Sequence, residues 1–467
     1  MRRDRTAVLH FAAQVARSLA GFGTTLLAAR YFGAAGLGVY SQVLALLFWL
    51  KLPSNSIKTA VSKRMSETED VTGHFSAGLV VALGYGLLVG AVVFLFESYV
   101  DSYLNADAAH LLVFLLAANM VFDHVKSGFV GRKRVAVSGW LGTAEQILRL
   151  ASQLAFVLGG AMVIGLVTGH LASLTVFGLI GLVLLRRHLT IPDLGDFDDL
   201  RRYAQYSWLG NLQGLALTWM DILVLGLFVG DSQVGIYQAS WTLASFLALT
   251  SKSIGTTLFP ELSDLGTDER YDRARSLVGD GLLFAGVFLI PGAFGALVIG
   301  DRILEVYSSE FAAGATVLVI LIAARTVHAF GSQFVNTLNG LDYPEIAFRV
   351  NAAFFATNIS LNFLLVYLIG WYGAAFATLA STTVYLAVSW YELRGEVGAI
   401  DVPLVEIGYE IVASVAMAAV VRSTLPFLPR NVFATVAAVF LGAAVYGAII
   451  LVLSTKIRAK VLTLVGT

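Results

Sequence analysis

The chain contains no cysteine. That excludes disulfides, Cys-ligated zinc and thiol catalysis. Charge is scarce as well: 13% of the 467 residues are Asp, Glu, Lys or Arg, about half the usual ~25% of soluble chains. There is no GxxxxGK[ST] run, and no connection between apolar segments exceeds about twenty residues, so a nucleotide-binding domain has no place to sit. ATP hydrolysis within this chain is excluded. The net charge of zero says little, because the charges are sorted by position.

What the chain has is apolar surface. Hydrophobic residues make up 57% of it and the mean hydropathy is +0.78. A membrane-spanning helix needs about 20 mostly apolar residues. That rule predicts fourteen spans, near 7–29, 37–60, 76–97, 108–130, 138–159, 161–185, 203–229, 233–259, 276–299, 313–339, 347–369, 372–392, 404–423 and 432–454. The fold class expected is an all-α polytopic membrane protein. Gln14 and Arg17 interrupt the first apolar run, which reads as a retained helix and not a cleaved signal peptide. Arginine outnumbers lysine, as in GC-rich prokaryotic genomes, and the expected location is a prokaryotic plasma membrane, crossed many times.

Orientation follows from Lys and Arg. With the N-terminus inside, the inner segments hold nineteen of them and the outer segments only four, Arg30, Arg302, Arg422 and Arg430. Both termini are therefore expected in the cytoplasm. The outer loop ESYVDSYLNAD (97–107) is acidic with no cation, as this orientation requires.

The stretch from Gly33 to Glu67 recurs from Gly230 to Asp264 at a constant offset of 197, with 11 of 34 positions identical over 33–66. A match at fixed separation is the signature of an internal repeat. Further on, LASLTV (171–176) matches LASTTV (379–384) at an offset of 208. The expected plan is two parallel six-helix halves, 1–200 and 201–398, followed by two additional helices in 399–467. Six is even, so both halves enter the membrane in one direction, the parallel-repeat case.

A charge at the bilayer centre costs at least ~2.5–3.5 kcal/mol, so each buried one needs a reason. Lys51, Asn55 and Lys58 share one face of the second span, and their repeat counterparts are Ala248, Lys252 and Gly255. Pro53 should kink that span by removing a backbone hydrogen bond. Gln14, Arg17, Gly21 and Thr24 form a polar stripe on the first span, and the offset turns it into Asn211, Gly214, Thr218 and Asp221. These faces are expected to line a water-filled cleft. The bland alternative for Arg17 is snorkelling to the headgroups. Glu145 with Arg149 (i, i+4) and Asp123 with Lys126 (i, i+3) read as self-neutralising pairs. Arg325, His328 and Ser332 begin a polar stripe on the tenth span, and Arg325 and His328 are candidate cavity-lining residues. A cleft holding Arg17, Lys51, Lys58 and Lys252 selects an anion, and phosphate suits both arginine and lysine. Asp221, Asp123 and Glu145 are the candidates for ion coupling.

The turn and helix AARYFGAAGLGVYSQVLAL (28–46), with SIKTAVSKRMSE (56–67), resemble the start of polysaccharide transporters of the multidrug/oligosaccharidyl-lipid/polysaccharide superfamily. The stretch NTLNGLDYPEIAFRVNAAFFATNISLNFLLVYLIGWYGAAFATLAS (336–381) resembles that family's tenth to twelfth helices. The resemblance implies a flippase for polyprenyl-linked sugars working by alternating access. It also implies cavity cations on the first, second and eighth helices, where this chain has Arg17, Lys58 (or Lys51) and Lys252. Lysine replaces arginine at two of those places, which weakens bidentate phosphate binding as an inference.

The reading is thus a flippase, not an enzyme, carrying a polyprenyl- or dolichyl-(di)phosphate-linked sugar from the inner to the outer leaflet. No cofactor, metal or nucleic acid is expected. Membrane lipids are expected partners, and glycosyltransferases or a polymerase of the same pathway are candidate partners. A multidrug or metabolite exporter of the same fold is the nearest alternative, but exporters of organic cations need carboxylates in the cleft. A membrane glycosyltransferase needs acidic residues on an outer loop, and Asp101 and Asp107 form no DxD pair there. A scaffold that has lost transport would leave intramembrane cations as a cost without a use.

Overall fold

The computed structural model describes residues 2–67, 73–207, 212–248 and 270–459, with the side chains of 2–18, 206–207 and 270 left aside. Among the described residues there are helices and short helical turns and no strand. The helices are α1 (Arg2–Leu50), α2 (Leu52–Glu67), α3 (His74–Leu95), α4 (Glu97–Leu104), α5 (Ala109–Gly131), α6 (Val135–Leu158), α7 (Met162–Leu184) and α8 (Leu194–Ser207). They continue as α9 (Leu212–Phe228), α10 (Asp231–Leu247), α11 (Arg270–Leu304), α12 (Ala315–Gly340), α13 (Pro344–Ile369), α14 (Trp371–Val397), α15 (Leu404–Thr424) and α16 (Val432–Leu453). Where they are described, the expected spans fall mostly on helix, interrupted at positions such as Lys51 and Phe96. Nine segments among the described residues are both long and apolar enough to cross a membrane.

The chain forms two compact units, Met1–Gly235 and Ile236–Thr467. In the first, α6 packs along α7, α5 lies between α3 and α7, and α2 packs on α5 and α8. In the second, α14 packs on α12 and α13, while α11 packs on α12 and α15, and α15 on α16. These faces are dense in small residues, which let helices approach closely where lipid offers no hydrophobic drive to associate.

The boundary between the first two expected spans is a single residue. Gly33 has φ 67° and ψ −168° inside an otherwise continuous helical run, a conformation that glycine alone adopts without penalty. The second expected span is also broken, at the level of Pro53. Pro53 has no N–H to give the carbonyl of Trp49. The next amide, Ser54, bonds to Lys51 O at 2.9 Å, so the Leu50 carbonyl loses its helical donor too. Tyr85 of α3 supplies the replacement, its hydroxyl donating to Leu50 O at 2.7 Å.

The seventh expected span, 203–229, differs from the structure at its start. The helix beginning at Leu194 carries Asp196, Asp198, Asp199, Arg201 and Arg202 and is too polar to span. It packs Leu200 and Ala204 into a cluster with Ala60, Val61, Phe75 and Leu185. The apolar helix begins at Leu212, and its residues Ala216–Met220 form a π turn.

The internal repeat has a structural counterpart within the first unit. A Cβ on Gly38 would lie 2.0 Å from the carbonyl oxygen of Asp231, and one on Gly235 would lie 1.8 Å from the carbonyl oxygen of Ala34. Gly38 and Gly235 are repeat partners, and so are Ala34 and Asp231. The two turns therefore pack by a self-complementary exchange, residue for residue, as at a twofold axis. Gln42 fastens the crossing by donating to Asp231 Oδ1 at 2.9 Å, and Asn105 donates to both Asp231 oxygens at 3.2 Å.

Candidate functional site

The break between α1 and α2 projects Lys51 inward, toward α5. Its Nζ donates to Asn119 Oδ1 at 2.5 Å and Asp123 Oδ2 at 2.8 Å, and sits 4.5 Å from the centre of the Phe48 ring. The Lys51 side chain is 9% exposed. An ammonium in this position is held by charge-assisted hydrogen bonds and is already committed to protein partners. Lys58, two turns on, reaches the same Asp123 oxygen at 3.8 Å, but its side chain is 37% exposed. Two cations thus share one carboxylate, and the outer one is open to approach. Phe48 in turn stacks on Trp219 at 4.8 Å, and Trp219 stands in the π turn of α9. Such turns often mark functional positions. Asp221, just after that turn, is buried.

Asp123 is tied across to Lys51 and Lys58; Lys126, at i+3, also attracts this carboxylate and lies over the Phe122 ring at 5.6 Å. Glu145 and Arg149 do form the pair that their spacing predicts. Arg149 grips the carboxylate with two nitrogens, at 2.8–3.0 Å, and Ser173 donates to Glu145 Oε1 at 2.8 Å. Thr24 is interior, donating to Gln153 Oε1 at 3.1 Å. Gln153 continues the chain to Tyr40 at 2.9 Å and to Leu166 O at 2.8 Å. The Asn55 carbonyl accepts from Thr59 Oγ1, and Thr218 Oγ1 donates to Gly214 O.

Arg325 and His328 belong to the second unit. The Arg325 guanidinium lies 5.2 Å from the Trp241 ring, and its Nε has no hydrogen-bond partner. His328 stacks on Tyr385 at 5.1 Å. Gln14 and Arg17 lie on α1, in the part whose side chains are left aside, and Asn211 and Lys252 fall outside the described residues. Around the break, the structure brings together Lys51 and Lys58 with Asp123. Sequence reading passed over Asn119, although it stands at i−4 from Asp123 on α5. It also missed Glu410 of α15, a carboxylate inside the thirteenth apolar run. Of metal-type ligands among the described residues, the side-chain ligand atoms of Glu97 at the start of α4, Asp107 and His110 in the first turn of α5 lie within 4.8 Å of one another, with both carboxylates exposed.

A polytopic all-helical chain with intramembrane cations at a broken helix is the build of a membrane transporter. Its fold matches that of lipid II flippase MurJ in an inward closed conformation, with a TM-score of 0.81 at 14% identity over 95% of this chain and 98% of that one. It also matches an inward-facing multidrug resistance MATE family transporter of the MOP superfamily, at a TM-score of 0.60 and 16% identity, over 84% and 98% of the two chains. The chain belongs to the family of polysaccharide biosynthesis proteins, whose pattern spans residues 5–265. It is similar to the probable flippase AglR of Haloferax volcanii, 31% identical over 98% of this chain and 97% of that protein. It is also similar to the probable low-salt glycan biosynthesis flippase Agl15 of the same organism, 27% identical over 84% of this chain and 83% of that protein.

Proposed function

We propose that the protein is a flippase that carries a polyprenyl- or dolichyl-phosphate-linked glycan from the inner to the outer leaflet of a prokaryotic plasma membrane, by alternating exposure of its site. The observation that carries this reading is the cluster at the broken second span. Lys51 fixes Asp123 from the buried side, and Lys58 faces outward with a carboxylate too distant to neutralise it fully. That leaves the group net cationic, and an ammonium binds phosphate as a point charge. Lys58 is the capture residue in this scheme, and Lys51 holds the Asp123–Asn119 face in place. A mostly apolar groove of about 540 Å³, bordered by Pro53, Ser56 and Ile57 of the same helix and by Phe197 and Leu200 of α8, would take part of the isoprenoid tail. The relatives named as flippases support the cargo class. Export of one negative charge from an inside-negative cell releases roughly 2.3 kcal/mol per 100 mV, so the membrane potential can drive the step.

The test is complementation of a host that lacks its own flippase of this family. The intact chain should restore glycosylation of cell-surface proteins, and Lys58→Ala should lower it at least tenfold while lipid-linked glycan accumulates on the inner leaflet. Lys58→Ala should leave thermal stability nearly unchanged, since a partly exposed pair is worth about 0–1 kcal/mol. Normal glycosylation with Lys58→Ala would remove Lys58 from the scheme. Lost resistance to cationic drugs, with glycosylation intact in the deletion, would favour an exporter.

A further inference from the structure

Glu410 lies in α15, six residues after Leu404 and so about 9 Å along the helix axis. It is 0% exposed, and neither carboxylate oxygen has a hydrogen-bond partner. The side chain rests on α11 at a glycine: a Cβ at Gly286 would lie 2.3 Å from Glu410 Oε2. Around it Leu283, Ala413 and Met417 form an apolar cluster with Tyr446 of α16, whose hydroxyl is likewise without a partner. A carboxylate buried in this way, without a cation or donor, would carry an uncompensated charge, which a packed interior does not tolerate. A proton removes that charge. A sodium ion would need several oxygen ligands, and this apolar pocket does not offer them.

One turn before Glu410 the surroundings change. Glu406 pairs with Lys456 at 3.0 Å, and both border a polar cavity of about 640 Å³ that also holds Asp272, Arg275, Asp280 and Asp401. Asp272 and Arg275 are paired with each other. The groups that can sense charge near Glu410 are therefore Glu406 and Tyr409 on its own helix, Lys456 paired with Glu406, Tyr446 on α16, and Asp280 on α11, six residues from Gly286 toward the cavity. We propose that Glu410 is an intramembrane proton-binding site, loaded from this cavity, and that its occupancy governs the packing of α15 on α11. With the proton bound, the carboxyl lies against Gly286. When the proton leaves for the cavity, the charged side chain draws water and α15 parts from α11.

The experiment uses the purified full-length chain in lipid nanodiscs. Infrared spectra at stepped pH should show a protonated carboxylic C=O band at neutral pH that fades on alkalinisation and is missing from Glu410→Gln. Glu410→Asp, which keeps the titrating group, should retain a band. Because the chain has no thiol, Ala413→Cys one turn from Glu410 reports the packing through labelling by a water-soluble maleimide. Labelling should rise several-fold from neutral to alkaline pH, and stay low throughout when combined with Glu410→Gln. Identical bands in the intact chain and Glu410→Gln, or a band that follows sodium at fixed pH, would overturn the proton site. An equal rise of labelling in both backgrounds would overturn its link to packing. None of these readouts requires a substrate, so they stand or fall separately from the flippase reading.

Discussion

Asp123, partly buried, and Glu410, fully buried, are carboxylates on helices that are otherwise mostly apolar, and they meet opposite surroundings. Asp123 faces Lys51 at 2.8 Å and Lys58 at 3.8 Å. Glu410 faces a glycine, leucine and alanine neighbours and a tyrosine. The difference separates two uses of a costly group. A carboxylate between two cations stays charged and fixes geometry, and one without a cation is useful only if it gives up its charge.

Three changes would break or sharpen that contrast. The largest effect belongs to Asp123→Ala, which strands the Lys51 ammonium beside Asn119 alone. Removing one partner of a buried pair costs about 3–5 kcal/mol, so the variant should unfold well below the intact chain in detergent melts. Lys51→Met combined with Asp123→Leu should recover most of the loss. If the single change were neutral, the pair would not be holding the α2–α5 contact. An intermediate effect is expected for Gly38→Ala, outside both carboxylate sites. A methyl 2.0 Å from the Asp231 carbonyl must push the crossing apart, at about 1–3 kcal/mol. Gly235→Ala, its repeat partner, should cost a similar amount, and unequal melting temperatures for the two would argue against a symmetric crossing. The smallest effect is predicted for Glu410→Gln at neutral pH, within about 1 kcal/mol of the intact chain, because the amide resembles the protonated acid in size and charge. A loss matching that of Asp123→Ala would mean that Glu410 is charged and paired after all.

Much of this architecture was legible along the chain. Apolar runs of twenty residues placed the helices, and the offset of 197 identified Gly38 and Gly235 as equivalents. Pro53 announced the break in the second span. The Glu145–Arg149 pair followed from i, i+4 spacing alone, because both ends lie on one helix. Asp123 shows where that logic stops. Lys126 is near it in sequence, but the contacts to Lys51 and Lys58 span more than sixty residues, and only the approach of α2 to α5 creates them. Glu410 was overlooked for a related reason. A carboxylate in an apolar helix has the same appearance in sequence whether or not a cation waits on the neighbouring helix.

The sequence by itself determined what local physics controls: helical spans that satisfy their own backbone where no water can, their interruption at Gly33 and Pro53, and the existence of a repeat. Tertiary structure decided which charges are spent. Lys51 is consumed by Asn119 and Asp123, Lys58 stays accessible, and Glu410 is left facing Gly286. The physical reason is that hydrogen bonds and ion pairs act over about 3–4 Å, and such distances between separate helices exist only once the helices have packed.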